Sequence, residues 1–243
     1  MKKEDNRVFS ADSMSMVFRI NPFVRSIAGH SVTPFSDLER VIPHVKYITL
    51  MREPIDRYVS HYQHQVERMG SSWTFEDFLE QDFTFNFQTM KIAGAPDIDK
   101  AKQILRKNFF LVGIVEEFAN FLSVLQQKLL PENFDIRYEP KNVATRNAVK
   151  RGVFQSMTKY RREIEERNAF DLELYDFVKN HLFKNEKANF NGSIQIDLKQ
   201  KTRMSTKLSK LEFNIYRIYR KIYYEQLVRL IRLANGLPGK GSY

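Results

Sequence analysis

The chain has 243 residues, 42% hydrophobic and 28% charged, a globular composition long enough for one α/β domain with a sizeable core and an appendage. Its 39 basic and 29 acidic residues leave a net charge of +10, which favours anionic partners (nucleotide phosphates, sulfated or carboxylated glycans, nucleic acid, a membrane surface) without choosing among them. The absence of cysteine excludes disulfides, thiolate metal sites and cysteine nucleophiles, and points toward a reducing, cytoplasmic compartment.

No apolar run reaches the roughly 18 residues of a spanning helix. The start, Met1-Lys2-Lys3-Glu4-Asp5, lacks the apolar stretch of a signal peptide. In chain order, Ser13 to Ile20 reads as a short helix that Pro22 interrupts. A loop follows, Ser26-Ile27-Ala28-Gly29-His30-Ser31-Val32, in which His30 taken alone is a solvated or structural histidine. Tyr47 to Met51 is rich in strand formers and predicts a buried strand. Arg52 stands at its carboxyl end, Pro54 suits the first turn of a helix, and apolar residues at 55, 58, 59, 62, 66 and 69 keep helical spacing. Ligands of open α/β sheets bind outside the carboxyl ends of strands. An arginine there either grips a phosphate with its planar fork or pairs with a carboxylate to pin the helix, and spacing leaves both readings open.

His61 and His64 follow on this helix, lining a cleft or simply solvated. Three residues apart and without a third ligand, they are not a metal pair. Ser72 or Thr74 is placed to cap a helix through Glu80, with Trp73 and Phe75 as core or pocket wall. Asn86 and Gln88, in Asn86-Phe87-Gln88-Thr89, are polar residues able to order a loop by side-chain hydrogen bonds. Asp99 to Lys107 predicts a helix, Asn108 to Phe118 a buried strand, and 116–129 an amphipathic helix with Phe118, Phe121, Leu122, Leu125 and Leu129 on one face. Alternating strand and helix fits a parallel sheet. Residues 141–152 read as a basic loop, and Arg161 to Phe183 as one long helix. A polar linker then leads to a basic amphipathic helix, Lys207 to Leu233, which suits an anionic membrane surface, a partner, or its own domain.

The pattern Arg52-Glu53-Pro54-x-x-Arg57-x-x-Ser60-x-Tyr62 resembles the R-D-P-x-x-R-x-x-S-x-Y signature of carbohydrate sulfotransferases, the heparan sulfate and uronosyl 2-O-, the 6-O- and the bacterial types. Glu53 replaces the usual Asp and keeps its charge. The resemblance implies a P-loop-NTPase-like three-layer α/β sandwich with a central parallel sheet in a sulfotransferase-like domain, 1–184, while composition and spacing set off a linker, 185–206, and the basic helix and tail, 207–243. It implies that Arg52 and Ser60 hold the 3′-phosphate of the donor, 3′-phosphoadenosine 5′-phosphosulfate, with no metal required. The Gly29-His30 pair, shortly upstream of the arginine strand, matches the family's catalytic base. A histidine with a pKa of about 6.5 can take the proton of an acceptor hydroxyl near neutral pH. The family's frequent second histidine, two positions earlier, is Ala28 here. Arg146, Lys150 and Arg151 match a basic loop that folds over the donor nucleotide. Asn86 and Gln88 fall in an N-x-Q-T segment that the resemblance puts near the substrate cleft, and one of His61 and His64, on the helix after the arginine, could line the acceptor cleft. Asn168-x-x-Asp171-x-x-Leu174-Tyr175 matches a run that closes the family's domain by packing.

The likeness covers residues 26 to about 183. Residues 1–46 hold no P-K-x-G-T/S loop for the 5′-phosphosulfate, so the expectation is a fold that lacks its opening strand and phosphate loop. The expected function is transfer of a sulfuryl group to a glycan hydroxyl. The rival is a non-catalytic remnant that binds nucleotide or acidic glycan. Nucleic acid is not the expected partner, because no RNP-type or zinc-finger motif accompanies the charge. The expected location is cytoplasmic, with peripheral membrane contact through the C-terminal helix.

Overall fold

The structure is a computed structural model that describes residues 8–20, 24–130, 147–190, 218 and 225–234. The chain divides into two compact units. One comprises Met1–Val32, Ser36–Pro43 and Asp197–Tyr243; the other comprises Thr33–Phe35 and His44–Ile196.

In the first unit, α1 (Ala11–Ile20) begins two residues before the expected start. Ser10 Oγ accepts the backbone N–H of Ser13 at 3.2 Å, and Asp37 Oδ1 accepts that of Ala11 at 2.8 Å. These bonds satisfy orphan donors of the first turn. Asp37 precedes the 3-10 turn Leu38–Arg40 and pairs with Arg40 at 2.8 Å. The Ala11 N–H, then Arg40, hold its carboxyl below the usual range. Ala11, Met14 and Leu38 are buried. The final described helix, α10 (Glu225–Ala234), lies within the predicted basic helix and runs one residue beyond it. Lys207–Arg217 and Tyr219–Tyr224, the rest of that prediction before α10, lie outside the described residues.

The second unit is mixed α/β and mostly helical. Its sheet, among the described residues, is two parallel strands, β1 (Tyr47–Met51) and β2 (Phe109–Ile114). Parallel neighbours need a long crossover. Here α2 (Pro54–Glu67), α3 (Phe75–Leu79), α4 (Phe87–Ala93) and α5 (Ile98–Asn108) supply it. The register slips between Tyr47 and Ile48, which pair with Phe109 and Leu111. Leu111 to Ile114 are all buried, in keeping with an unbroken apolar run. α6 (Phe118–Lys128) covers this strand with Phe121, Leu122, Val124 and Leu125. A second cluster joins Ile55 and Tyr58 of α2 to Phe75, Phe78, Leu79, Phe85 and Ile164. Thr74 caps α3 through a reciprocal box with Asp77.

The helix expected over Arg161 to Phe183 is interrupted. α7 (Asn147–Arg167) stops at Asn168, α8 (Ala169–Phe177) restarts, and a π-helical turn, Val178–Leu182, leads into α9 (Phe183–Ala188). Asn168 turns its side-chain amide back onto the Ile164 carbonyl at 2.8 Å, as short polar side chains do when they compete with the ladder. α7 also begins earlier than expected: Asn147 to Gly152 are helical, so this half of the expected basic loop is not a loop. No proline interrupts 147–167, and Arg161–Glu165 (2.7 Å) and Arg162–Glu166 (2.8 Å) are spaced one turn apart. α9 runs into the expected linker as far as Ala188.

Gly113, opposite Leu50 in the sheet, leaves room for the Phe121 ring, which a Cβ at that position would overlap. Gly113→Ala is expected to lower stability by about 1–3 kcal/mol, through displacement of Phe121. The shift of the urea midpoint checks it.

Candidate phosphate site at the end of the first strand

The motif Arg52-Glu53-Pro54 makes the turn from β1 into α2. Glu53 is the N-cap: its carboxylate accepts the Asp56 N–H at 2.7 Å, and Pro54 takes the first helical position. The Glu53 N–H is itself bound, at 2.9 Å, by the carboxylate of Glu116 just beyond β2. The other oxygen of Glu116 accepts the Tyr175 hydroxyl at 3.0 Å. Burial, then that bond and the charge of Glu116, push the Tyr175 phenol well up. Next along, Glu117 meets Lys187 and Asn120. Burial pushes its carboxyl up, but the two donors outweigh burial and leave it below its ordinary value.

Arg52 divides its backbone from its side chain. Its N–H donates to Gln88 Oε1 and its carbonyl accepts from Gln88 Nε2, both at 2.9 Å. Its guanidinium, half-buried, forms no ion pair among the described residues. The carboxylate-pinned reading of this arginine therefore finds no partner there.

Arg57, the second arginine of the motif, carries the pinning role. It reaches inward, donating from Nη2 to the Thr84 carbonyl at 2.7 Å and lying 5.0 Å from the Phe87 ring centre. Its Nε is 4.0 Å from Asp171, whose side chain is fully buried. Burial pushes the guanidinium's pKa down, and Asp171 opposes that shift. Asp171 also accepts the Gln88 N–H at 3.0 Å, the Thr89 N–H at 2.7 Å and the Thr89 hydroxyl at 2.8 Å. The two N–H groups are donors that the first turn of α4 leaves open. Asn86, left-handed at φ 45°, lets the chain enter α4. Its Oδ1 accepts the N–H groups of Phe170 and Asp171 at the start of α8. The two helix starts thus cap each other through Asn86 and Asp171.

Among the other candidates, Ser60 is half-buried on α2, away from the buried side formed by Ile55 and Tyr58. His61 sits among Phe78, Phe83 and Phe87, with ring centres 5.3–6.3 Å away, and its Nε2 is 3.3 Å from the Gln65 amide. His64 is exposed. Asn86, the N-cap of α4, and Gln88, in its first turn, direct their side-chain amides at backbone groups. Lys150 and Arg151 fall in the first turns of α7, and Arg146 lies outside the described residues. His30 belongs to the first unit, exposed in a turn where the Val32 N–H meets the Gly29 carbonyl. No group of acidic and histidine side chains among the described residues could hold a metal ion.

Sequence reasoning placed Arg57 in the motif and Asp171 in a packing run but missed that the two face each other, and missed Glu116. The available signal was periodicity: of the three carboxylates in Ala169 to Phe177, Asp171 falls on the same helical face as Leu174 and Tyr175, and a carboxylate on a buried face needs a partner. Asp171→Asn removes the charge facing Arg57 and leaves one oxygen for three donors. It is expected to cost on the order of 3 kcal/mol, read by urea denaturation against Asp176→Asn on the exposed side of α8 as control. No family model, curated protein or solved structure matches the chain, so its function has to be read from its own residues.

Proposed function

We propose that this chain is a carbohydrate sulfotransferase on a P-loop-NTPase-like sandwich, moving a sulfuryl group from 3′-phosphoadenosine 5′-phosphosulfate to a glycan hydroxyl. One observation carries the reading: in a motif with two arginines, Arg57 is turned inward to Asp171, while the Arg52 guanidinium, at the carboxyl end of β1, has no acidic partner among the described residues. A planar, permanently charged fork suits a phosphate there. Arg52 and Ser60 hold the 3′-phosphate, and Lys150 and Arg151, with Arg146, supply further positive charge to the nucleotide. His30 takes the proton of the acceptor hydroxyl as its oxygen bonds to sulfur and the bond from sulfur to the 5′-phosphate oxygen breaks. The donor supplies the sulfuryl group, and adenosine 3′,5′-bisphosphate leaves. A second reading keeps the anion contact at Arg52 and drops the transfer: a non-catalytic binder of nucleotide or acidic glycan.

Calorimetric titration with adenosine 3′,5′-bisphosphate tests the site. Arg52→Ala is expected to weaken binding roughly 10- to 100-fold, the loss of one charge-assisted pair of bonds. His30→Ala is expected to leave that binding intact and to slow transfer from labelled donor by about 100-fold or more. Binding without any turnover, and no response to His30→Ala, would select the second reading. A wild-type chain that ignores the bisphosphate would remove the sulfotransferase reading and the nucleotide half of the second.

For a further contact, α10 exposes Leu230 and Leu233 beside the exposed Arg229, in a segment rich in Lys and Arg. We propose that this helix lies on an anionic membrane surface. No helix among the described residues is long and apolar enough to cross a membrane. Sedimentation with phosphatidylserine vesicles should be salt-sensitive and lost in Leu230→Glu/Leu233→Glu, while phosphatidylcholine vesicles should leave the protein in the supernatant.

A further inference from the structure

The last backbone pair of the sheet is Met51 with Ile114, so Arg52 stands one residue past the ladder. A residue in that position ordinarily turns its N–H and C=O to water, and its direction is loosely held. Here a side chain continues the ladder. The Gln88 amide gives one donor and one acceptor to the two backbone groups of Arg52, each at 2.9 Å, as a neighbouring strand would. Gln88 is in turn held by its own N–H, which meets the fully buried Asp171 at 3.0 Å. Thr89, the next residue, gives Asp171 both of its donors. Asn86 closes the other direction, from the entry of α4 onto the N–H groups of Phe170 and Asp171. A continuous chain of hydrogen bonds therefore runs from the core of α8, through the first turn of α4, to the backbone of one partly exposed arginine.

We infer that Gln88 is a positioning residue: it does not touch the ligand but holds the Arg52 backbone so that the guanidinium is presented ready-oriented to an oxyanion, a phosphate in the reading proposed above, on which this inference rests. The gain is in preorganisation. A fork that must be ordered on binding loses affinity to that ordering, and one held in advance does not. Both polar atoms of the Gln88 side chain already serve Arg52, which argues against Gln88 as a direct substrate ligand. Asp171 acts one step further back, as the anchor of the Gln88 backbone.

A double-mutant cycle on the full chain, titrated with adenosine 3′,5′-bisphosphate, tests this. Gln88→Ala should weaken binding about 10-fold, and Arg52→Ala at least as much. The Gln88→Ala/Arg52→Ala chain should bind no more weakly than Arg52→Ala alone, because Gln88 works only through that arginine. A purely structural glutamine would weaken binding equally in both backgrounds. Gln88→Glu keeps the acceptor for the Arg52 N–H but sets an anion against the Arg52 carbonyl, so it should behave like Gln88→Ala. Gln88→Met keeps the volume and carries the same cycle should Gln88→Ala fail to fold. Additive losses, or none on changing Gln88, overturn the positioning role and leave the phosphate site standing. A wild-type chain with no affinity for the bisphosphate, or an Arg52→Ala chain with unchanged affinity, overturns the phosphate reading itself.

Discussion

A single buried carboxylate, Asp171, is the constraint on which the second unit depends. Taking a charge out of water costs several kcal/mol unless its lone pairs are filled and an opposite charge is near. Here three donors from Gln88 and Thr89 fill them, and Arg57 stands 4.0 Å away. Each hydrogen bond to a charged acceptor contributes roughly 1.5–3 kcal/mol. A small, mostly helical unit with a two-stranded sheet gains a fixed point from this arrangement. α2, α4 and α8 are referenced to one atom group rather than to apolar contact alone, and apolar contact is non-directional.

The consequence for chemistry is a division of labour between two arginines five residues apart. Arg57 is used up inside, stacked near Phe87 and bound to the Thr84 carbonyl. Arg52 is fixed at its backbone, and its side chain forms no ion pair among the described residues. The strand-end position would serve an anion poorly if both guanidinium groups were exposed and mobile, or if both were paired. Nearby carboxylates would also compete for Arg52. Glu53 and Glu116 are engaged by backbone N–H groups and the Tyr175 hydroxyl, and Glu117 by Lys187 and Asn120.

Much of the frame was legible beforehand, and for plain reasons. The strand Tyr47–Met51 and the helix from Pro54 agree with the run of strand formers, the proline and the apolar spacing read from the chain. Leu111 to Ile114 announce a strand buried on both faces, and the Thr74 box announces the start of α3. The break at Asn168 was less legible, because helical periodicity continues through it. Ile164, Glu165 and Leu172 bond Asn168 locally, as helix neighbours do, but the bond from the Asn86 N–H to its side-chain oxygen exists only once the start of α4 has been brought to the junction of α7 and α8. The division into units was also unreadable, since grouping Met1–Val32 with Asp197–Tyr243 is a relation between distant stretches of chain.

What the sequence alone determined is local: where strand gives way to helix, which face of each helix is apolar, the surplus of positive charge, and the presence of two arginines, a serine and an upstream Gly-His pair. Its resemblance to a sulfotransferase signature is likewise a pattern of near neighbours. Tertiary structure decided which arginine is spent in the core and which forms no ion pair among the described residues. That choice turns on Asp171, more than a hundred residues away in the chain, and a side chain's partners at that separation are set by how the helices pack and not by any spacing along the strand or helix that bears it.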